Sequence, residues 1–209
     1  MTSLALLTLE VADPTAAEAF YTASGLAAHV RLRAATDEPS EGFRGFAVSL
    51  TVAQPADVRA LVGAAADAGA TVLKPATKSF WGYGGVVRAP DGTVWKFASS
   101  AKKDTGPATG RVEQVVLLLG AGDVAATKEF YVGRGLVVAR SFGRKYVEFT
   151  GSGSGVTLAL YGRRALAKDV GVPADGSGSH RIALGGDGAA SFTDPDGFVW
   201  EPAAVTTAR

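Results

Sequence analysis

Pro90-Asp91-Gly92-Thr93-Val94-Trp95 returns as Pro195-Asp196-Gly197-Phe198-Val199-Trp200, at an offset of 105 residues. In both places Pro, Asp and Gly suit positions i+1, i+2 and i+3 of a type I turn, so each hexapeptide reads as the turn and second strand of a hairpin. Working backward, Phe20-Tyr21 and Gly25-Leu26 return as Phe130-Tyr131 and Gly135-Leu136, at an offset of 110. Self-similarity at a long fixed spacing marks duplicated structural units. Between the copies, residues 99–110 hold Lys102, Lys103, Asp104, Gly106, Pro107 and Gly110 and almost no bulky apolar side chain. That is a linker composition. The expected organisation is two related units, 1–101 and 111–204, joined by a linker at 102–110.

The elements of each copy follow from its periodicity. Leu4 to Val11 reads as an apolar strand, and Asp13-Pro14 as the cap and first turn of a helix over Thr15 to Ser24 that Gly25 stops. Leu26 to Ala34 alternates as a half-exposed strand, and Phe43 to Val52 is a further strand. Pro55 opens a second helix with Val58, Leu61, Val62 and Ala65 on one face, and Gly69 ends it. Thr71 to Leu73, Gly85 to Arg88 and Thr93 to Ala98 complete the copy as strands. The second copy repeats the start, with strand Arg111 to Leu119, Asp123 as cap, a helix through Val132 and a strand over Leu136 to Phe142. Tyr146 to Thr150 and Val156 to Tyr161 then read as a hairpin closed by Gly151 to Gly155. No second helix is expected there. A Gly/Ser-rich loop over 171–179 leads instead to a strand at His180 to Leu184. Strand, helix and several strands, twice over, predict an α+β fold rich in antiparallel sheet.

Composition limits what such a fold does. The 209 residues carry 21 Lys+Arg against 20 Asp+Glu, which gives no reason to expect a nucleic-acid or membrane partner. The absence of cysteine removes disulfides, zinc-thiolate sites, iron–sulfur clusters and cysteine nucleophiles. Leu4 to Leu9 runs directly into Glu10 and Asp13, as a strand does and a signal peptide does not. The expectation is a cytoplasmic protein with a small-molecule ligand; a homodimer stays open.

Taken in order, Leu9-Glu10-Val11-Ala12-Asp13, the Phe-Tyr before Gly-Leu, and Asp194-Pro195-Asp196-Gly197-Phe198-Val199-Trp200-Glu201 resemble the vicinal oxygen chelate (VOC) superfamily. That group includes glyoxalase I, bleomycin-resistance proteins, fosfomycin-resistance enzymes and extradiol dioxygenases. The resemblance covers most of both copies. It implies paired βαβββ modules whose cupped sheets surround a cavity, with each copy as one such domain. It leaves the chemistry open, since isomerases, dioxygenases, transferases and binding proteins share the fold.

In catalytic members the resemblance implies His, Gln or Glu ligands to Zn, Ni, Mn or Fe on the first strand, a mid-domain strand, the strand opening the second module and the last strand. In the first copy these places fall on Ala5 or Leu6, near Ala47, and on Lys96, whose ammonium group cannot coordinate. In the second they fall on Gln114, near Ala159, on His180 or Arg181, and on Glu201. If His180 faces inward, Gln114, His180 and Glu201 make a three-ligand set in which Glu201 also serves as the catalytic proton carrier. If Arg181 does, its guanidinium pairs with Glu201 and fills the place of the ion. The register before Ile182 favours the ion pair, leaving His180 as a loop-end residue and no metal as the favoured state.

The densest aromatic cluster is Ser79-Phe80-Trp81-Gly82-Tyr83-Gly84-Gly85. Phe80, Trp81 and Tyr83 read either as one wall of a ligand cavity, with Gln114 and Arg181 as its polar groups, or as core closing under a loop. Trp95 and Trp200 read as repeated packing. Arg140, Arg144, Lys145, Arg163, Arg164 and Lys168 read as a solvated basic face rather than an anion site. The favoured function is a metal-free binding protein of the bleomycin-resistance kind, and the alternative a divalent-metal-dependent lyase, isomerase or dioxygenase.

Overall fold

The computed structural model describes residues 3–151, 155–188 and 190–203; residues 152–154 of the Gly151–Gly155 loop and the expected boundary at 204 lie outside the described residues. In chain order the first copy forms β1 (Leu4–Val11), α1 (Pro14–Ala23), a 3-10 turn (Ala27–His29), β2 (Arg31–Ala34), β3 (Ser40–Gly42), β4 (Phe46–Val52), α2 (Pro55–Asp67), β5 (Thr71–Ser79), β6 (Gly82–Arg88) and β7 (Val94–Ser99). The second forms β8 (Val112–Ala121), α3 (Val124–Gly133), β9 (Val138–Ser141), β10 (Tyr146–Phe149), β11 (Thr157–Gly162), α4 (Arg163–Val170), β12 (Gly176–Gly178), β13 (Ile182–Gly186), β14 (Phe192–Thr193) and β15 (Val199–Pro202).

The two copies start alike for the expected reason. Asp13 accepts from the backbone N–H groups of Thr15 and Ala16, and Asp123 from those of Ala125 and Ala126, so each first helix has a side-chain cap. One expectation is overturned: the second copy does have a second helix, α4. Its charged residues hide a short apolar stripe, Leu166, Ala167 and Val170, and no side chain caps its start. Arg163, Arg164 and Lys168, read as part of a basic face, belong to this helix. Leu26 to Ala34 is strand only from Arg31 onward.

The strands assemble into an eight-stranded sheet, order β5-β6-β7-β4-β8-β11-β10-β9, and a five-stranded sheet, order β14-β15-β13-β1-β2. Each sheet therefore takes strands from both copies, whereas the resemblance implies one cup per copy. The centre of each sheet is an antiparallel pair drawn from the two copies: β4 with β8 (Ala47 opposite Leu118, Ser49 opposite Val116) and β1 with β13 (Thr8 opposite Ala183). Parallel strands flank both pairs, β7 and β11 in one sheet and β2 and β15 in the other. Alternation along a strand tells which face is buried and not which strand lies beside it, so this exchange is invisible in the pattern.

Two crossovers connect the sheets, one in each copy, and they are laced together. β3 pairs antiparallel with β12, with Ser40 opposite Gly178 and Gly42 opposite Gly176. A Cβ on Gly178 would stand 1.9 Å from the Pro39 carbonyl oxygen, so only glycine permits this approach. Phe43 N donates to Asp175 O at 2.9 Å and Ser179 N to Pro39 O at 2.8 Å on either side of the ladder.

The main core takes Leu7, Leu9, Leu184 and Trp200 from one sheet, Val48, Leu50, Trp95, Leu117 and Leu160 from the other, and Phe20, Tyr21 and Tyr131 from α1 and α3. Trp95 and Trp200 are core residues, as read. The repeated tyrosine meets the repeated turn in both copies, but at non-equivalent aspartates. The Tyr21 hydroxyl donates to Asp91, inside the first hexapeptide, at 3.0 Å, and the Tyr131 hydroxyl to Asp194, the residue just before the second, at 2.6 Å. Burial, reinforced by the adjacent carboxylate, pushes both phenols well above their ordinary range. A smaller core lies on the other face of the eight-stranded sheet, where Leu166, Ala167 and Val170 of α4 cover Ala47, Val86, Val116, Leu118 and Ala159.

Residues 102–110 are tied to the start of α2. Buried Gln54 accepts from Thr105 N and Gly106 N, and buried Asp57 accepts through one oxygen from Thr109 N, Thr109 Oγ1 and Gly110 N.

Candidate functional site

Each sheet has one face on the main core and one face turned away from it. On β1, Leu7, Leu9 and Val11 enter the core, so Thr8 and Glu10 lie on the opposite face. Arg33 of β2 sits beside Glu10 in the parallel ladder, and Glu201 of β15 sits beside Gly185. Thr8, Ala183 and Gly185 are small, and the Arg33 side chain reaches over this part of the sheet. Its guanidinium donates to Glu10 at 2.7 and 3.1 Å and to both Glu201 oxygens at 2.9 and 3.1 Å. Burial alone would lower the guanidinium pKa, but its bonds to Glu10 and Glu201 outweigh that and raise it above its ordinary value. A guanidinium thus joins the two carboxylates of this face.

The expected partner of Glu201 is Arg181, and the structure corrects this. Arg181 has a positive φ of 56°, lies just before β13, and donates to the carbonyls of Thr36 (2.7 Å) and Glu38. His180 stacks on Phe198 with ring centroids 4.0 Å apart, its Nδ1 lies 2.6 Å from Arg44 O, and its Nε2 lies 3.0 Å from Asp196 O. Both residues hold the crossovers in place. Gln114 lies in the other sheet, where it donates to Thr157 Oγ1 at 2.9 Å. Gln114, His180 and Glu201 are therefore not brought together, because β8 and β15, which belong to one copy, enter different sheets.

The outer face of the eight-stranded sheet carries the corresponding pair. Lys96 of β7 binds Asp169 of α4 at 2.5 Å. Farther along the face, the Tyr146 hydroxyl donates to Glu148. A cavity of about 270 Å³ opens beside Lys96 and Asp169, with Trp81, Tyr83, Val86 and Ala98 among its lining residues. Trp81 is 85% exposed at the β5–β6 hairpin, so its indole is a ready contact surface. Tyr83 is anchored by a hydrogen bond from its hydroxyl to Ala76 O at 2.9 Å. Phe80 is exposed at the hairpin tip, edge-on to Trp81 and under the Lys102 ammonium, and is not among the lining residues.

The residues present do not fit the metal centre that the resemblance implies. One face commits its two carboxylates to a guanidinium, and the other presents an ammonium at the last-strand position. Among the described residues no three His, Asp or Glu side chains form a group able to hold an ion. Arg33 escapes a reading of the sequence although Arg31-Leu32-Arg33 alternates visibly, because no pattern links β2 to a glutamate 168 residues away. Asp169 escapes it because the pattern shows no helix at α4.

No family model matches the sequence, and no curated protein matches it. Among solved structures, glyoxalase I from Zea mays superposes with a TM-score of 0.60 at 15% identity, over 96% of this chain and 91% of that one. A point mutant of that glyoxalase I gives 0.61 at 15% identity over 95% and 92%. A candidate dioxygenase from Bacillus subtilis subsp. subtilis str. 168 gives 0.54 at 11% identity, over 87% of this chain and 69% of that one. Identities this low speak for architecture alone. The order of the repeated motifs and these superpositions together give the chain the fold of the vicinal oxygen chelate superfamily.

Proposed function

We propose that the protein binds a small organic molecule, without a metal ion, in the cavity beside Lys96 and Asp169. The observation that carries this reading is the union, in one cavity, of an exposed indole, aliphatic lining and a cation–carboxylate pair. A flat apolar body would lie against Trp81 and Val86, and a polar substituent would exchange with one partner of the ion pair. Aromatic contact area with a few polar groups is the usual make-up of such sites. The metal-free part rests on the chemistry of the two outer faces, where Arg33 and Lys96 stand among the carboxylates.

The test uses 1-anilinonaphthalene-8-sulfonate, a flat apolar body with one anionic group. It is expected to bind saturably, and Trp81→Ala and Lys96→Met should each weaken it by roughly tenfold, about 1.4 kcal/mol, with the melting temperature checked in parallel. Equal affinity in wild type and both variants would overturn the site. Stoichiometric Ni, Zn, Mn or Fe retained after desalting and lost in Glu201→Ala would overturn the metal-free part.

A further inference from the structure

Where the crossovers meet, two guanidinium groups lie without a carboxylate bonded to either. Arg44 Nη1 is buried and has no hydrogen-bond partner, and the same holds for Ser40 Oγ. Both residues border a cavity of about 370 Å³ that Arg181 also lines. Arg181 gives its donors to the carbonyls of Thr36 and Glu38, so its charge is not neutralised. The acids of the same cavity are engaged elsewhere. Glu10 holds Arg33, Asp13 caps α1, and Asp91 accepts from Tyr21, Thr93 N and Thr93 Oγ1. Burial is the main reason the Arg44 pKa lies below its ordinary value; Asp91 opposes the shift and Arg181 adds to it. Leaving buried donors and acceptors unpaired is costly, and a ligand that pairs with them gains what water or protein does not supply.

The rest of the wall is apolar, with Val11, Ala16, Ala17, Phe20 and Pro90 on it. A planar fork of N–H donors matches a carboxylate better than a point charge would. Three acids at the border disfavour a dianion. We propose that this cavity is a second binding site, for a monocarboxylate carrying a small aliphatic or aromatic body. The carboxylate accepts from Arg44 Nη1 and Ser40 Oγ, and the body lies against Ala16, Ala17, Phe20 and Pro90. The site is separate from the aromatic-lined cavity beside Lys96 and does not depend on it.

Calorimetric titration of the full chain with 3-phenylpropanoate tests the proposal, with 3-phenylpropan-1-ol and inorganic phosphate as controls. The acid is expected to bind saturably and the controls at least about tenfold more weakly. Arg44→Met should weaken the acid at least about tenfold while leaving the melting temperature unchanged or raised, since Nη1 bonds nothing in the free protein. Ala16→Trp fills the body's space from an exposed helix position and should weaken binding comparably, which keeps the test intact if Arg44→Met fails to fold. Trp81→Ala should leave the affinity as it is. Absence of saturable binding overturns the proposal, as does equal binding of the alcohol. So does wild-type affinity in Ala16→Trp, or loss of binding in Trp81→Ala.

Discussion

Glu10 and Glu201 would repel each other across the five-stranded sheet without Arg33. With it, two strands from opposite ends of the chain are joined by four charge-assisted hydrogen bonds. The Arg33 side chain is 42% exposed and Glu201 32%, so the stabilisation is that of a surface network and not of a buried pair. Arg33→Met should cost about 1 kcal/mol in urea unfolding at low salt. In 1 M NaCl, where screening acts within about 3 Å, the difference should shrink to a few tenths. A loss that persists at high salt would mean that Arg33 contributes through packing of its stem. The sequence places Glu201 at the end of a strand and Lys96 at the matching point of the other copy, and both prove to be ion-paired. Their partners were illegible, for a side chain's neighbour across a sheet depends on strand order, which no local pattern records. Arg181 failed for a different reason: the stretch looks like a strand, but Arg181 takes a left-handed backbone just before β13 and its guanidinium binds the carbonyls of Thr36 and Glu38. His180 is the loop-end residue expected and binds the Arg44 carbonyl.

At the level of elements, the linker is the instructive case. Its composition reads as a loose tether, yet residues 105–110 give their backbone donors to Gln54 and Asp57 at the start of α2. Burial pushes the Asp57 carboxyl up, but the bonds from Thr109, Gly110 and Gln54 outweigh it and hold the group below its ordinary value. The unfolded chain, with an ordinary value of about 4, therefore takes up the proton first. The stabilisation is complete above that pH and is lost as pH falls through the lower folded value. Asp57→Ala should cost about 2–3 kcal/mol at pH 7, because it leaves buried amide donors unpaired. The difference from wild type should narrow on acidification below pH 4, read as urea midpoints across the range. A pH-independent difference would show that the carboxylate's charge is not what the linker needs. The helices with capping aspartates and a proline start were legible to within a residue or two. α4 was not, because half of its positions are charged and its apolar stripe is one turn long.

At the scale of the molecule, the duplication visible in the sequence is not a division into two self-contained halves of structure. Each copy gives its first part to one sheet and its remainder to the other, so the central pairs β1–β13 and β4–β8 both cross between copies. The β3–β12 ladder then fastens the two crossovers. A chain cut in the linker into residues 1–103 and 104–209 should show what this exchange is worth. Alone, the first fragment has β1 without β13 and β4 without β8, which exposes long apolar strand edges and uncovers Leu7, Leu50 and Trp95. The second fragment is left in the same state. Each should show poor amide dispersion and weak near-ultraviolet circular dichroism, from Trp81 and Trp95 in the first fragment and Trp200 in the second, with a tendency to aggregate. Mixed, they should recover both signals with a concentration-dependent midpoint, since association and folding become one event. A well-dispersed spectrum from either fragment alone would show that one copy can close its own sheet, and the strand exchange would then be an arrangement of two stable units and not the basis of their stability.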